Sequence, residues 1–99
     1  MLRMGIDEIL ASKREEILRI AAKHGVSRIR VFGSVARGEA GPDSDVDFLI
    51  EIGGATPPWF PGGLIADLEE LLGRHVDVVA PSWLHEIIKD DVLAEAVAL

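Results

Sequence analysis

The eight residues Asp45–Ile52, DVDFLIEI, constrain this chain more than any other segment. Val46, Phe48 and Ile50 alternate with Asp47, Leu49 and Glu51, so the spacing predicts a strand over Val46–Ile52. Asp45 and Asp47 stand two residues apart at its start. Period-two alternation puts both carboxylates on one face and Val46 and Phe48 on the other. Two carboxylates that close repel each other unless a cation sits between them. On a rigid strand they are suitable ligands for a hard divalent ion such as magnesium.

The flanking pattern supplies helices and further strands. Ile6, Ile9, Leu10, Ile17, Ile20 and Ala21 recur at helical spacing, predicting an amphipathic helix from about Asp7 to His24 with Gly25 as a left-handed cap. Lys13 falls on the apolar stripe, which points to a bend or break nearby. Ile29, Val31 and Phe32 form a short strand interrupted by Arg28 and Arg30. Gly33 turns the chain, Ser34–Arg37 forms a short helix closed by Gly38, and Glu39–Ser44, with Gly41 and Pro42, is a loop. Gly53–Gly63 holds three prolines and four glycines and is linker-like. Its Trp59 and Phe60 either fold over the core or contact a partner. Leu64, Leu68, Leu71 and Leu72 mark a second helix ending near Gly73, and His75–Ala80 is a third strand. Ser82 is placed to cap a last helix carrying Trp83, Leu84, Ile87 and Ile88. The apolar segment Val92–Leu99 is expected to pack back. Residues 1–99 thus read as one domain, α-β-α-β-α-β-α. The expected fold is a small α/β (α+β) sandwich, a three-stranded mixed sheet with helices packed on it. The order of the strands is not legible.

Composition narrows the function. Cysteine is absent, which excludes disulfides and thiolate zinc sites and makes a reducing cytoplasm the expected location. No run of about 18 apolar residues exists to span a membrane. The start, Met1–Asp7, shows no secretory signal. The formal net charge of −7 disfavours direct nucleic-acid binding. A single phosphorylated small molecule stays compatible, because a bound divalent metal reverses the local field.

A third carboxylate, Asp77, interrupts the apolar strand His75–Val79. Facing inward without a partner it would be costly. Beside Asp45 and Asp47 on a neighbouring strand it becomes the third ligand of a two-metal site, which clamps the attacking and leaving oxygens of a phosphoryl displacement. Upstream, Gly33 lets the backbone approach a phosphate and Ser34 brings a hydroxyl and free N–H groups at a helix start. Arg37, one turn beyond Ser34, lies on the same side and can pair with a phosphate oxygen. Ser44 is a further nucleotide-binding candidate, although its place before the strand suits a turn-supporting role better.

Gly33-Ser34, ten residues, then Asp45-Val46-Asp47 resembles the defining motif of the DNA polymerase beta-like nucleotidyltransferase superfamily. The run GSVARGEAGPDSDVDFLIE and the later LEELLGRHVDVV resemble its minimal nucleotidyltransferase (MNT) branch, over nearly the whole chain. The resemblance implies an enzyme that moves a nucleoside monophosphate from a nucleoside triphosphate onto a hydroxyl, with ATP as substrate and magnesium as cofactor. It implies that Asp45 and Asp47 bind both metals and that Asp77 binds the catalytic one and helps activate the acceptor. It also implies that Gly33 and Ser34 hold the outgoing phosphates. Many MNT proteins are antitoxins of HEPN-domain ribonuclease toxins, and some transfer AMP to a toxin tyrosine. Val35 stands where many relatives carry a basic residue.

Bland readings exist for the same residues. Arg37 can be a surface arginine paired with Glu39 or Asp43, Asp77 an exposed residue of an edge strand, and Glu69-Glu70 a solvated helix face. His24, His75 and His85 lack ligand spacing and read as structural or surface residues. Three functions compete: adenylylation of a partner toxin, neutralisation of that toxin by binding alone, and modification of a small molecule of aminoglycoside type. The chain holds no tyrosine, so a tyrosine acceptor must lie on another chain, with which this one would assemble.

Overall fold

The protein is described here by a computed structural model covering residues 2–99. Its first helical stretch forms in two pieces. Helix α1 (Ile6–Ile9) and helix α2 (Arg14–Lys23) are separated by a 3-10 turn over Ala11–Lys13, so the break expected near Lys13 is present. Ile17 and Ala21, one turn apart on α2, are buried, as is Leu10 at the junction. Glu15 and Glu16 open α2 and Lys23 closes it, the order that the helix dipole favours. Gly25 then adopts φ +81, the left-handed conformation that ends the helix.

Strand β1 (Val26–Phe32) follows, then the one-turn helix α3 (Gly33–Ala36) and strand β2 (Val46–Ile52). β1 and β2 pair antiparallel, with Phe32 opposite Asp47 and Val31 opposite Phe48. Helix α4 (Gly62–Leu72) carries the chain across to strand β3 (Val76–Val79). That crossover makes β3 parallel to β2, since parallel neighbours need a long connection. Val31, Val46, Phe48, Ile50, Val76 and Val78 face α2 and α4 and form the core with Ile17, Ala21, Leu64 and Leu68. Arg28 and Arg30, which interrupt the apolar pattern of β1, alternate onto the opposite face. There both guanidinium groups reach Glu51 on β2, at 3.2 and 3.5 Å.

His24, 7% exposed, ties the end of α2 to α4 through a 2.7 Å hydrogen bond between Nε2 and Asp67. That bond holds the Asp67 carboxyl below its ordinary range. His75 lies on the surface beside Glu69 and His85 caps a helix, so all three histidines have structural or surface places.

The sheet has four strands, in the order β3-β2-β1-β4, not the three expected. The fourth, β4 (Val97–Ala98), lies within the segment expected to pack back, and it pairs antiparallel with Val31 and Arg30. Two residues are too few to show a strand period. The last helix also starts later than Ser82 suggested. Pro81–Trp83 forms a 3-10 turn, Leu84 is extended, and helix α5 (Glu86–Glu95) begins after His85. His85 Nδ1 accepts from the Ile87 N–H at 3.2 Å, so histidine, not serine, is the cap. Of Trp59 and Phe60, only Phe60 folds over the core. Phe60 packs against the core and meets Trp83 edge to face at 6.4 Å, while Trp59 is 84% exposed.

Candidate active site

Parallel pairing brings the acidic residues together. In the β2–β3 register Val46 lies beside Val76 and Asp47 beside Asp77. The valines are buried, so both aspartates lie on the other face of the sheet. Asp77 is exposed on the edge strand, not turned into the core, and its apolar neighbours Val76 and Val78 carry the burial instead. Exposure on an edge strand and nearness to Asp47 thus both hold. Asp45 is exposed and immediately precedes β2.

The ionisation of Asp47 records the crowding. Its carboxyl is raised from 3.8 to about 6, first by burial and then by repulsion from Asp77 and Asp45, with Arg37 acting in the opposite direction. Among the described residues no three acidic or histidine side chains already converge as a metal cage. Asp47 and Asp77 are adjacent by register, and Asp45 acts on Asp47 from the start of the strand. The donor set fits a hard divalent cation all the same. It offers oxygen ligands only, and the repulsion among its carboxylates is only partly offset by Arg37.

The loops around the aspartates are pinned by Arg74 and Glu69, which the sequence did not mark for this, and by Ser44, which it did. Arg74 Nη1 donates to the carbonyls of Gly41 and Ser44 at 2.9 and 3.1 Å, clamping the loop that delivers Asp45. Ser44 Oγ accepts from the Gly41 N–H at 2.8 Å, so it supports the turn, while its own O–H remains a donor. Glu69, expected on a solvated face, accepts from the Val76 N–H at 3.0 Å and fixes the start of the strand that bears Asp77.

The Gly-Ser turn lies directly on the aspartates. Gly33 has φ +76, and a β-carbon there would overlap Asp47 Oδ2. Glycine is required on both counts. Ser34 is partly buried, and its hydroxyl makes no hydrogen bond to the described residues. The free N–H groups expected at this helix start are not all free. The Gly33 N–H donates to Glu95 Oε1. Arg37 also departs from an open cradle. Its Nε donates to Glu39 Oε1 at 2.7 Å and its Nη1 reaches both oxygens of Glu95 at 3.0 Å. These hydrogen bonds, Glu39 first, raise the guanidinium above its ordinary range. Pairing with Glu39 is the bland reading of Arg37, while Glu95 had no local signal at all, lying 58 residues away.

A groove of about 650 Å³ runs between α1, α3 and the C-terminal strand and is lined by none of the three aspartates. Arg37 belongs to both places. Charge and register, not concavity, mark the acidic site on an open sheet face.

Known proteins resemble this chain in sequence and fold. The nucleotidyltransferase domain family pattern matches residues 14–99. A Methanocaldococcus jannaschii protein named as a candidate protein adenylyltransferase is 42% identical over 94 residues, covering 95% of this chain and 97% of the relative. The protein adenylyltransferase MntA of Thermococcus cleftensis is 40% identical over 92 residues, covering 93% of this chain and 90% of the relative. A solved structure described as a candidate minimal nucleotidyltransferase superposes with TM-score 0.82 at 42% identity, covering 97% of both chains. A toxin–antitoxin crystal structure with AMP-PNP shares the fold at TM-score 0.71 and 19% identity, over 85% of this chain and 69% of that one. The small α+β fold with its mixed sheet is therefore the minimal nucleotidyltransferase fold, and the chain belongs to the nucleotidyltransferase domain family.

Proposed function

We propose that this chain transfers AMP from ATP to a hydroxyl of a partner protein, a tyrosine of a HEPN-type ribonuclease toxin, and so acts as its antitoxin. The observation that carries the reading is the β2–β3 register, which sets Asp77 beside Asp47, with Gly33 packed on the Asp47 carboxylate. Relatives named protein adenylyltransferase support transfer to a protein. The likeness in fold to a chain of a toxin–antitoxin crystal structure with AMP-PNP fits such a partner. The absence of tyrosine from these 99 residues fits an acceptor on another chain.

Asp45, Asp47 and Asp77 would hold magnesium ions. Magnesium at such a site neutralises the phosphates and polarises the α-phosphoryl group. Asp77, the exposed carboxylate, receives the proton of the incoming hydroxyl. The Ser34 hydroxyl and Arg37 bind the two outgoing phosphates, and Gly33 lets them come close to the backbone. The acceptor oxygen bonds to the α-phosphorus, the bond from that phosphorus to the bridging oxygen breaks, and pyrophosphate leaves. Incubating the chain and its toxin with ATP and magnesium should add one AMP mass to the toxin. An unchanged toxin mass, with nucleotide binding confirmed, would refute the reading.

A second reading, neutralisation by binding alone, has its own support. Trp59 is 84% exposed, and Ile87 on α5 is 80% exposed. Apolar side chains displayed in this way suit a protein interface. The double substitution Asp45→Ala with Asp47→Ala separates the two: protection of cells should be lost if transfer is required and kept if binding suffices.

A further inference from the structure

Glu95 touches both halves of the phosphate side and has no role in the function described so far. Its Oε1 accepts from the Gly33 N–H, and both its oxygens take Arg37 Nη1 at 3.0 Å. Its side chain is 30% exposed. It is the last residue of α5, two positions before β4. Beyond it the chain is fastened to the sheet by the Val97–Val31 and Ala98–Arg30 pairs. Arg14 Nε holds the Leu99 carbonyl at 2.7 Å. The carboxylate is therefore delivered by a strap secured to the sheet.

The Arg37 guanidinium is held by two glutamates. Glu39 takes Nε from only two residues away, a local contact that cannot set where the guanidinium lies in the fold. Glu95, 58 residues away, ties it to the rest of the molecule. The Nη2 nitrogen makes no hydrogen bond to the described residues and keeps its donors for a ligand. At Gly33 the same carboxylate satisfies a part-buried N–H in a turn that rests on Asp47. Without it that donor would lack its acceptor, and the turn would lose a hydrogen bond to the C-terminal segment.

We propose that Glu95 is a positioning residue for nucleotidyl transfer: from the C-terminal strap it sets the Gly33-Ser34 turn and orients Arg37 toward the outgoing phosphates. The inference rests on the nucleotide reading given under Proposed function. It assigns Glu95 no contact with substrate, and its effect passes through Arg37 and Gly33.

The test measures binding of magnesium with a non-hydrolysable ATP analogue by calorimetry, and exchange of the Gly33 amide proton by NMR. Glu95→Ala should weaken analogue binding at least about tenfold, the loss expected when hydrogen bonds to charged groups are removed. Glu95→Gln, which keeps an acceptor for Gly33 but lacks the charge, should fall between. Arg37→Ala should weaken binding similarly, and adding Glu95→Ala to it should cost much less than tenfold more, because the two act as a unit. Gly33 should exchange faster in Glu95→Ala while amides of β2 stay protected. Analogue binding as tight as, or tighter than, that of the unaltered chain would overturn the proposal and make Glu95 an occupant that blocks the cradle. Losses that simply multiply would overturn it too. If the unaltered chain binds no analogue, the nucleotide reading fails and this proposal with it; if the analogue binds, unchanged Gly33 protection in Glu95→Ala overturns the positioning alone. If Glu95→Ala does not fold, Glu95→Gln carries the same comparisons.

Discussion

At Asp47, burial and two neighbouring carboxylates disfavour ionisation, while Arg37 opposes them. Since the folded-state value of about 6 lies above the ordinary 3.8, the folded chain without cation holds this proton more tightly than the unfolded chain does. Its stability therefore declines as pH rises through about 4 to 6 and stays lower above that window. A divalent cation favours the ionised carboxylate and removes the penalty. Magnesium should raise the thermal unfolding midpoint more near pH 7.5 than near pH 5, and an equal response at both would contradict the assignment. Gly33 makes a second prediction of the same scale. With φ +76 and Asp47 Oδ2 where a β-carbon would be, Gly33→Ala should cost at least about 1–2 kcal/mol of stability from backbone strain. It should also displace Asp47 and abolish transfer, read by chemical unfolding and by the mass of the proposed toxin partner.

The elements that bear the site are held by contacts between loops and neighbouring helices. Arg74, just beyond α4, holds the carbonyls of Gly41 and Ser44. Arg74→Ala should cost about 1–3 kcal/mol, the range for losing a charged donor's hydrogen bonds to part-buried carbonyls. Hydrogen exchange should quicken at Gly41–Asp45 while β1 and β2 remain protected; slower or unchanged exchange there would refute the clamp. These supports show where the sequence was legible and where it was not. The alternation of Val46–Ile52 predicts β2 to the residue, because a strand with one acidic and one apolar face has a strong period. Gly33, Ser34, Asp45 and Asp47 were legible because their spacing is local. Arg74, Glu69 and Glu95 were not, because a charged side chain that bonds a backbone group elsewhere looks like any surface charge in its own window. Ser82 misled for the related reason that Pro81 and extended Leu84 break the helix it would have capped.

In the whole molecule, one sheet separates two tasks. Its inner face carries the apolar rows of β1, β2 and β3 against α2 and α4, and its outer face carries Asp47 and Asp77 in register. The architecture of helices on a mixed sheet was legible from the order of periods, whereas β4 was hidden by its length of two residues. The same closure by β4 places Glu95 at the Gly-Ser turn, so the part of the fold that the sequence concealed is also the part that braces the site. Nucleotidyl transfer, as opposed to phosphoryl transfer or binding alone, is the claim on which this assembly converges. Incubating the chain and the proposed toxin partner with magnesium and ATP labelled either at the α- or at the γ-phosphorus tests it most directly. The account predicts label on the toxin from the α position only, with one pyrophosphate released per transfer and none with Asp45→Ala/Asp47→Ala; label from the γ position, or none from either, would contradict it.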